Sequence, residues 1–90
     1  MKRVVITGLG AITPLGDDVP TTWDNMLQGK SGIDLIKSFD TSKHAVKIAG
    51  EVKDFQPEKK IDPKVIKRLD RCVQLCIWAA LESVADARID

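Results

Sequence analysis

Asp62-Pro63-Lys64-Val65-Ile66-Lys67-Arg68-Leu69-Asp70-Arg71, continuing through Cys72-Val73-Gln74-Leu75-Cys76-Ile77-Trp78-Ala79-Ala80 to Ala87, decides how this chain is read. At about 100° per residue, Ile66, Leu69, Val73, Cys76, Ile77, Ala80, Val84 and Ala87 fall within one arc. Spacings of three and four residues are what a helix needs to bury a single stripe, so the pattern predicts one long helix over 62–87. Asp62 suits the N-cap, and Pro63 the first helical position, where its missing N–H costs nothing. Lys64, Lys67, Arg68 and Arg71 occupy the opposite arc of the first turns. Further along, Leu75, Trp78 and Ala79 continue that side, so the second half is apolar nearly all round. Such a helix expects cover on every side, more than ninety residues supply. A partner chain, or more of the same chain, is implied.

The composition narrows the function. Fourteen basic and thirteen acidic residues leave a net charge of +1, which argues against a general nucleic-acid or membrane binder. Electrostatic recognition must then be local, and the lysines and arginines between Lys59 and Arg71 supply it. Cys72 and Cys76 lie four apart and His44 is the single histidine, too few ligands for a zinc knuckle. The two thiols read as small apolar groups flanking a buried stripe, and no neighbouring histidine activates either as a nucleophile. No cofactor or metal is expected. Met1-Lys2-Arg3 before Val4-Val5-Ile6 imitates an export signal, but Thr7, Gly8 and Pro14 break the apolar run too early. The expectation is a soluble, cytoplasmic protein.

Outward from the helix, residues 2–7 read as a short buried strand of β-branched residues. A glycine-punctuated turn follows, with Gly8, Gly10, Pro14 and Gly16. Thr21 or Thr22 can cap a short helix through Trp23, Met26 and Leu27, closed by Gly29; Trp23 and Leu27 share a face expected to lie on a core. Residues 31–43 read as loop anchored by Ile33, Leu35, Ile36 and Phe39, residues 45–52 as a strand, and 54–60 as a polar linker. The order strand, helix, strand, long helix indicates an α/β fold.

Two nucleotide motifs are suggested and fail. Gly8-x-Gly10 after a strand opens a dinucleotide fingerprint, but its third glycine would be Thr13. Gly29-Lys30-Ser31 ends like a phosphate loop, but its partner position is Asp24 and no strand precedes it. Glycines after a first strand more often make room for backbone packing. The basic arc is the stronger signal, either as a solvated face or as a docking surface for clustered carboxylates or phosphates.

Lys2-Arg3-Val4-Val5-Ile6-Thr7-Gly8-Leu9-Gly10, Thr13-Pro14-Leu15-Gly16, Thr22-Trp23, Gly29-Lys30-Ser31-Gly32-Ile33, Phe39-Asp40, Ala49-Gly50-Glu51-Val52-Lys53-Asp54-Phe55 and Leu69-Asp70-Arg71 follow one another in order. Together they resemble the N-terminal part of an elongating β-ketoacyl-acyl-carrier-protein synthase, closest to type II, over essentially all 90 residues. The resemblance implies the N-terminal part of a thiolase-like fold, incomplete on its own, with no domain boundary inside residues 1–90. It also implies a homodimer and decarboxylative Claisen condensation of an acyl-enzyme with malonyl-acyl carrier protein in fatty acid elongation. The family's cysteine nucleophile and two histidines are not matched by Cys72, Cys76 or His44, so no catalytic residue is assigned and the 90 residues alone are expected to be inactive. The start of the long helix resembles the basic patch that receives acyl carrier protein. Lys64, Lys67 and Arg68 match it, while Arg71 sits in the Leu-Asp-Arg motif, where a structural ion pair is the competing role. The family's usual glycine after the helix is Arg88 here, which removes the natural C-cap. Rival readings are a polyketide-type ketosynthase segment, a nucleotide-binding βαβ unit, and a free-standing module that captures an acidic protein without chemistry. The free-standing module predicts a compact fold with Trp78 covered, and the segment predicts exposed apolar surface.

Overall fold

The computed structural model describes residues 1–89. In chain order it contains α1 (Val19–Leu27), β1 (Ile33–Leu35), β2 (Ile48–Gly50), a single 3-10 turn (Pro57–Lys59), α2 (Pro63–Ile66) and α3 (Arg71–Ala87).

The long helix of the sequence reading is two helices. α2 begins as expected: the Asp62 carboxylate accepts from the Lys64 N–H at 2.9 Å, and Pro63 fills the first position. It ends after four residues, the chain turns through Lys67 and Arg68, and Asp70 adopts extended backbone (φ −69°, ψ 158°) before α3 starts. Hydrophobic period does not register this break, because the spacing of apolar and basic residues runs through it in phase.

The covered face of α3 also differs from the expected stripe. Val73, Cys76, Ala80 and Val84 are exposed, whereas Ile66, Leu69, Ile77 and Ala87 are half-buried. The buried line runs instead through Leu75, Trp78, Ala79 and Glu82, with Trp78 only 5% exposed. Trp78 is covered by the 3-10 turn and by the chain before α1. Its Nε1–H donates to the Asp17 carbonyl at 2.8 Å, and Phe55 meets its ring edge-on at 5.3 Å. The Lys60 ammonium lies 4.5 Å from its centroid, while Ile61 (7% exposed) is the other buried apolar residue.

Residues 2–7 form no strand, because none of the described residues pairs with them; Val4 and Ile6 are almost wholly exposed. The chain that follows is tied to α3 by side chains. Asp86 accepts from the Leu9 N–H at 3.0 Å, and the Glu82 carboxylate accepts from Ala11 N–H and Val19 N–H, both at 2.9 Å. Gly8 and Gly10 make this possible: a Cβ at either would run into the Ser83 or Ala79 carbonyl of α3. The bland reading of the glycines as packing space holds.

α1 begins earlier than expected because Asp18, not Thr21 or Thr22, is its N-cap, accepting from the Thr21 N–H at 2.7 Å. Gly29 closes it with φ +73°, as expected. Trp23 and Leu27 lie exposed rather than on a core. The half-buried positions are Val19, Thr22, bonded to Thr13 across 3.0 Å, and Asn25, which donates to the Leu15 carbonyl.

The expected 45–52 strand shortens to β2, and its partner β1 lies in the stretch read as loop. They pair antiparallel, Ile33 opposite Gly50 and Leu35 opposite Ile48. Gly50 lets the ribbon approach Pro14 of the glycine turn. Among the described residues the observed order is therefore a helix, an antiparallel ribbon and a pair of helices, a mixed piece of an α/β fold with no parallel strand pair.

Candidate docking surface

The basic residues are carried on the path from the 3-10 turn to the first residue of α3. Lys59 and Lys60 close the turn, Lys64 lies in α2, Lys67 caps it, Arg68 follows, and Arg71 opens α3. The break at Asp70 thus puts Arg71 on a different helix from Lys64. Proximity of Lys64, Lys67 and Arg68 comes from a tight turn, since Arg68 N–H donates to the Val65 carbonyl at 3.0 Å and Leu69 N–H to Ile66 at 3.0 Å.

Lys64, Lys67, Arg68 and Arg71 are all exposed. Among the described residues the ion pair present is Lys53–Asp34 at 3.8 Å, so none of the four basic groups is neutralised by a carboxylate. Arg71 does not form the ion pair that competed with docking: its guanidinium lies 4.8 Å from the Phe55 centroid. Lys60 is similarly committed to Trp78. The surface therefore combines cations held over an aromatic pair (Lys60, Arg71) with unpaired ones on the turn (Lys64, Lys67, Arg68).

Beside Arg71 is an open cleft of about 300 Å³ bounded by Ser38, Glu51, Val52 and Leu75. Glu51 is occupied structurally. It accepts from the Ser38 hydroxyl and from the N–H groups of Lys37 (2.8 Å) and Ser38 (3.3 Å), and these bonds, the Ser38 hydroxyl foremost, hold its carboxyl below the ordinary glutamate range. No nucleophile and base face one another here. Cys72 and Cys76 are free and exposed, contrary to the expected flank of a buried stripe, and His44 packs edge-on against Phe39. Among the described residues, no three His, Cys, Asp or Glu side chains are grouped to hold a metal ion. The arrangement presents exposed cations, without a carboxylate partner among the described residues, beside an open cleft.

Comparison with known proteins places these elements in a ketosynthase N-terminal domain. Residues 1–90 match the family model described as "Beta-ketoacyl synthase, N-terminal domain", and the chain belongs to that family. Among its relatives, the 3-oxoacyl-[acyl-carrier-protein] synthase 2 of Staphylococcus aureus (strain COL) is 53% identical over 89 residues, covering 99% of this chain and 22% of the relative. The protein of that name from Synechocystis sp. (strain ATCC 27184 / PCC 6803 / Kazusa) is 42% identical over 88 residues, covering 98% of this chain and 21% of the relative. A solved structure, "The ishigamide ketosynthase/chain length factor", superposes with a TM-score of 0.90 at 34% identity, over 99% of this chain and 22% of that one. The chain spans about a fifth of the length of these relatives.

Sequence reading missed the side chains that hold the surface in place. Gln74, whose amide reaches the end of α2, and Phe55, beneath Arg71, carry no periodic signal. Phe55, an aromatic residue inside the stretch read as a polar linker, is the sequence signal that could have found the second.

Proposed function

We propose that this chain is the carrier-protein docking part of a 3-oxoacyl-acyl-carrier-protein synthase. The whole protein would condense an enzyme-bound acyl group with malonyl-acyl carrier protein, losing carbon dioxide, in fatty acid elongation. It would work as a cytoplasmic homodimer. The present residues contribute framework and a cationic surface and no catalytic group. One observation carries the reading: Lys64, Lys67 and Arg68 stand exposed, without a carboxylate partner among the described residues, on a chain 53% identical to a synthase named for acyl carrier protein. Arg71, fixed over Phe55, offers a fourth and less mobile contact.

Exposed ion pairs contribute about 0.2–1 kcal/mol each, so three or four of them govern encounter and orientation more than tightness. In the full-length enzyme, changing Lys64, Lys67 and Arg68 together to Glu should raise KM for acyl carrier protein by about tenfold or more and flatten its salt dependence. A KM that keeps both its value and its salt dependence would overturn docking at this surface.

The likeness to a ketosynthase/chain length factor supports a polyketide-type ketosynthase as the second reading. Turnover with carrier proteins of the two pathways separates them, since the preferred carrier should have the higher kcat/KM.

A further inference from the structure

α2 is four residues long, too short to persist on its own helical bonds. At its end the Val65 and Ile66 carbonyls accept from the Arg68 and Leu69 N–H groups, both at 3.0 Å, which closes the turn but ties it to nothing outside itself. Gln74, on the first turn of α3, supplies that tie. Its Nε2 donates to the Leu69 carbonyl at 3.0 Å and reaches the Ile66 carbonyl at 3.4 Å. Both partners are acceptors, so the amide nitrogen and not the amide oxygen must face them. Lys67 and Arg68 lie between those two carbonyls in the chain, exposed, while Gln74 is half-buried. One side chain therefore spans both ends of the turn that displays two of the unpaired cations.

We infer that Gln74 is a positioning residue for recognition of the acidic carrier surface. Its amide holds the 66–69 turn against α3, so that Lys67 and Arg68 meet carboxylates from a fixed base. Without it, the segment keeps its Asp62 cap and the backbone bonds of the turn but loses the side-chain link that joins the turn carrying these two cations to α3. The charge would be unchanged and its placement would not. This rests on the docking reading above, and the experiment separates the two.

In the full-length synthase, Gln74→Leu removes the donors with little change in volume. Losing one or two hydrogen bonds of this kind should raise KM for the carrier-bound acyl substrate by about three- to tenfold. With a carrier-free acyl thioester, kcat/KM should stay within about twofold of the parent. Placed in a Lys67→Ala/Arg68→Ala background, Gln74→Leu should add no further rise, because the groups it positions are gone. If Gln74→Leu does not fold, Gln74→Met, which keeps the length of the side chain without donors or charge, is read by the same criteria. An unchanged KM in Lys67→Ala/Arg68→Ala would sink the docking reading and this inference with it. A raised KM there, combined with either no effect of Gln74→Leu or an equal effect in both backgrounds, would overturn the positioning role and leave docking standing. Equal losses with carrier-bound and carrier-free substrates would also overturn it, as general structural damage.

Discussion

Arg88 closes α3 in the left-handed region (φ 58°, ψ 39°), where its N–H donates to Ala85 at 3.2 Å and the Ile89 N–H to Val84 at 3.4 Å. This is the paired-bond ending that glycine normally makes, carried out by a residue with a Cβ. The sequence shows the glycine to be missing but not that the geometry survives its loss, because an αL residue costs only about 1–2 kcal/mol. Arg88→Gly should therefore stabilise the folded protein by about 0.5–1 kcal/mol, the relief being partly offset by the freer unfolded chain. Denaturant midpoints of the two proteins check this; a lower midpoint for the glycine variant would point to a contact made by the arginine side chain. Two carboxylates set a separate expectation for acid. Asp18, bonded first by the Thr21 N–H, and Glu51, bonded first by the Ser38 hydroxyl, both have folded pKa values lowered below their ordinary range. A lowered folded pKa contributes stability that is full above the unfolded value and is lost as pH falls through the folded one. From these two groups stability should be flat near neutrality and decline from about pH 5 downward, as the pH reaches the unfolded carboxylate range. Midpoints measured from pH 7 to 3 test it, and a decline already complete by pH 5 would contradict it.

The glycine turn and α3 are joined by carboxylate acceptors on α3. Glu82 is central, since its two oxygens serve Ala11 N–H and the first N–H of α1. Gln at this position keeps one acceptor and turns an NH₂ toward the other N–H. Glu82→Gln should thus cost about 1–3 kcal/mol despite its identical shape, read as a lower unfolding midpoint. An unchanged midpoint would mean that water replaces the lost oxygen. Legibility was uneven at this scale. The Asp62 cap, Pro63, the Gly29 terminus and the existence of α1 and β2 were readable because each depends on residues within one turn. The break at Asp70 was not, because the spacing of apolar and basic residues runs through it in phase, and the strand β1 was not, because it is decided by its distant partner β2. For the docking surface, residue identities were legible and their support was not. Periodicity put Lys64 and Arg71 on one helix, whereas two elements and an aromatic ring now hold them.

Taken whole, the chain is extended for its length. Its radius of gyration is 15.9 Å, against about 12 Å for a compact domain of 90 residues. It exposes 7331 Å², where a compact chain of its mass exposes about 5,200 Å². Trp78 is covered, as a self-sufficient module would require, yet Val4, Ile6, Leu27, Leu35 and Val84 stand in solvent. The balance favours a segment whose apolar faces need cover. The isolated 90 residues should bind hydrophobic dyes and associate, as sedimentation would show; a dye-silent, compact monomer would contradict the segment reading. The sheltering of one indole and not the other has an optical corollary. Trp23 faces water and Trp78 lies under an ammonium and a phenyl ring, so the protein contains two emitters of different colour and accessibility. Acrylamide should quench the redder one first, leaving a blue signal that reports on the ground beneath the cations.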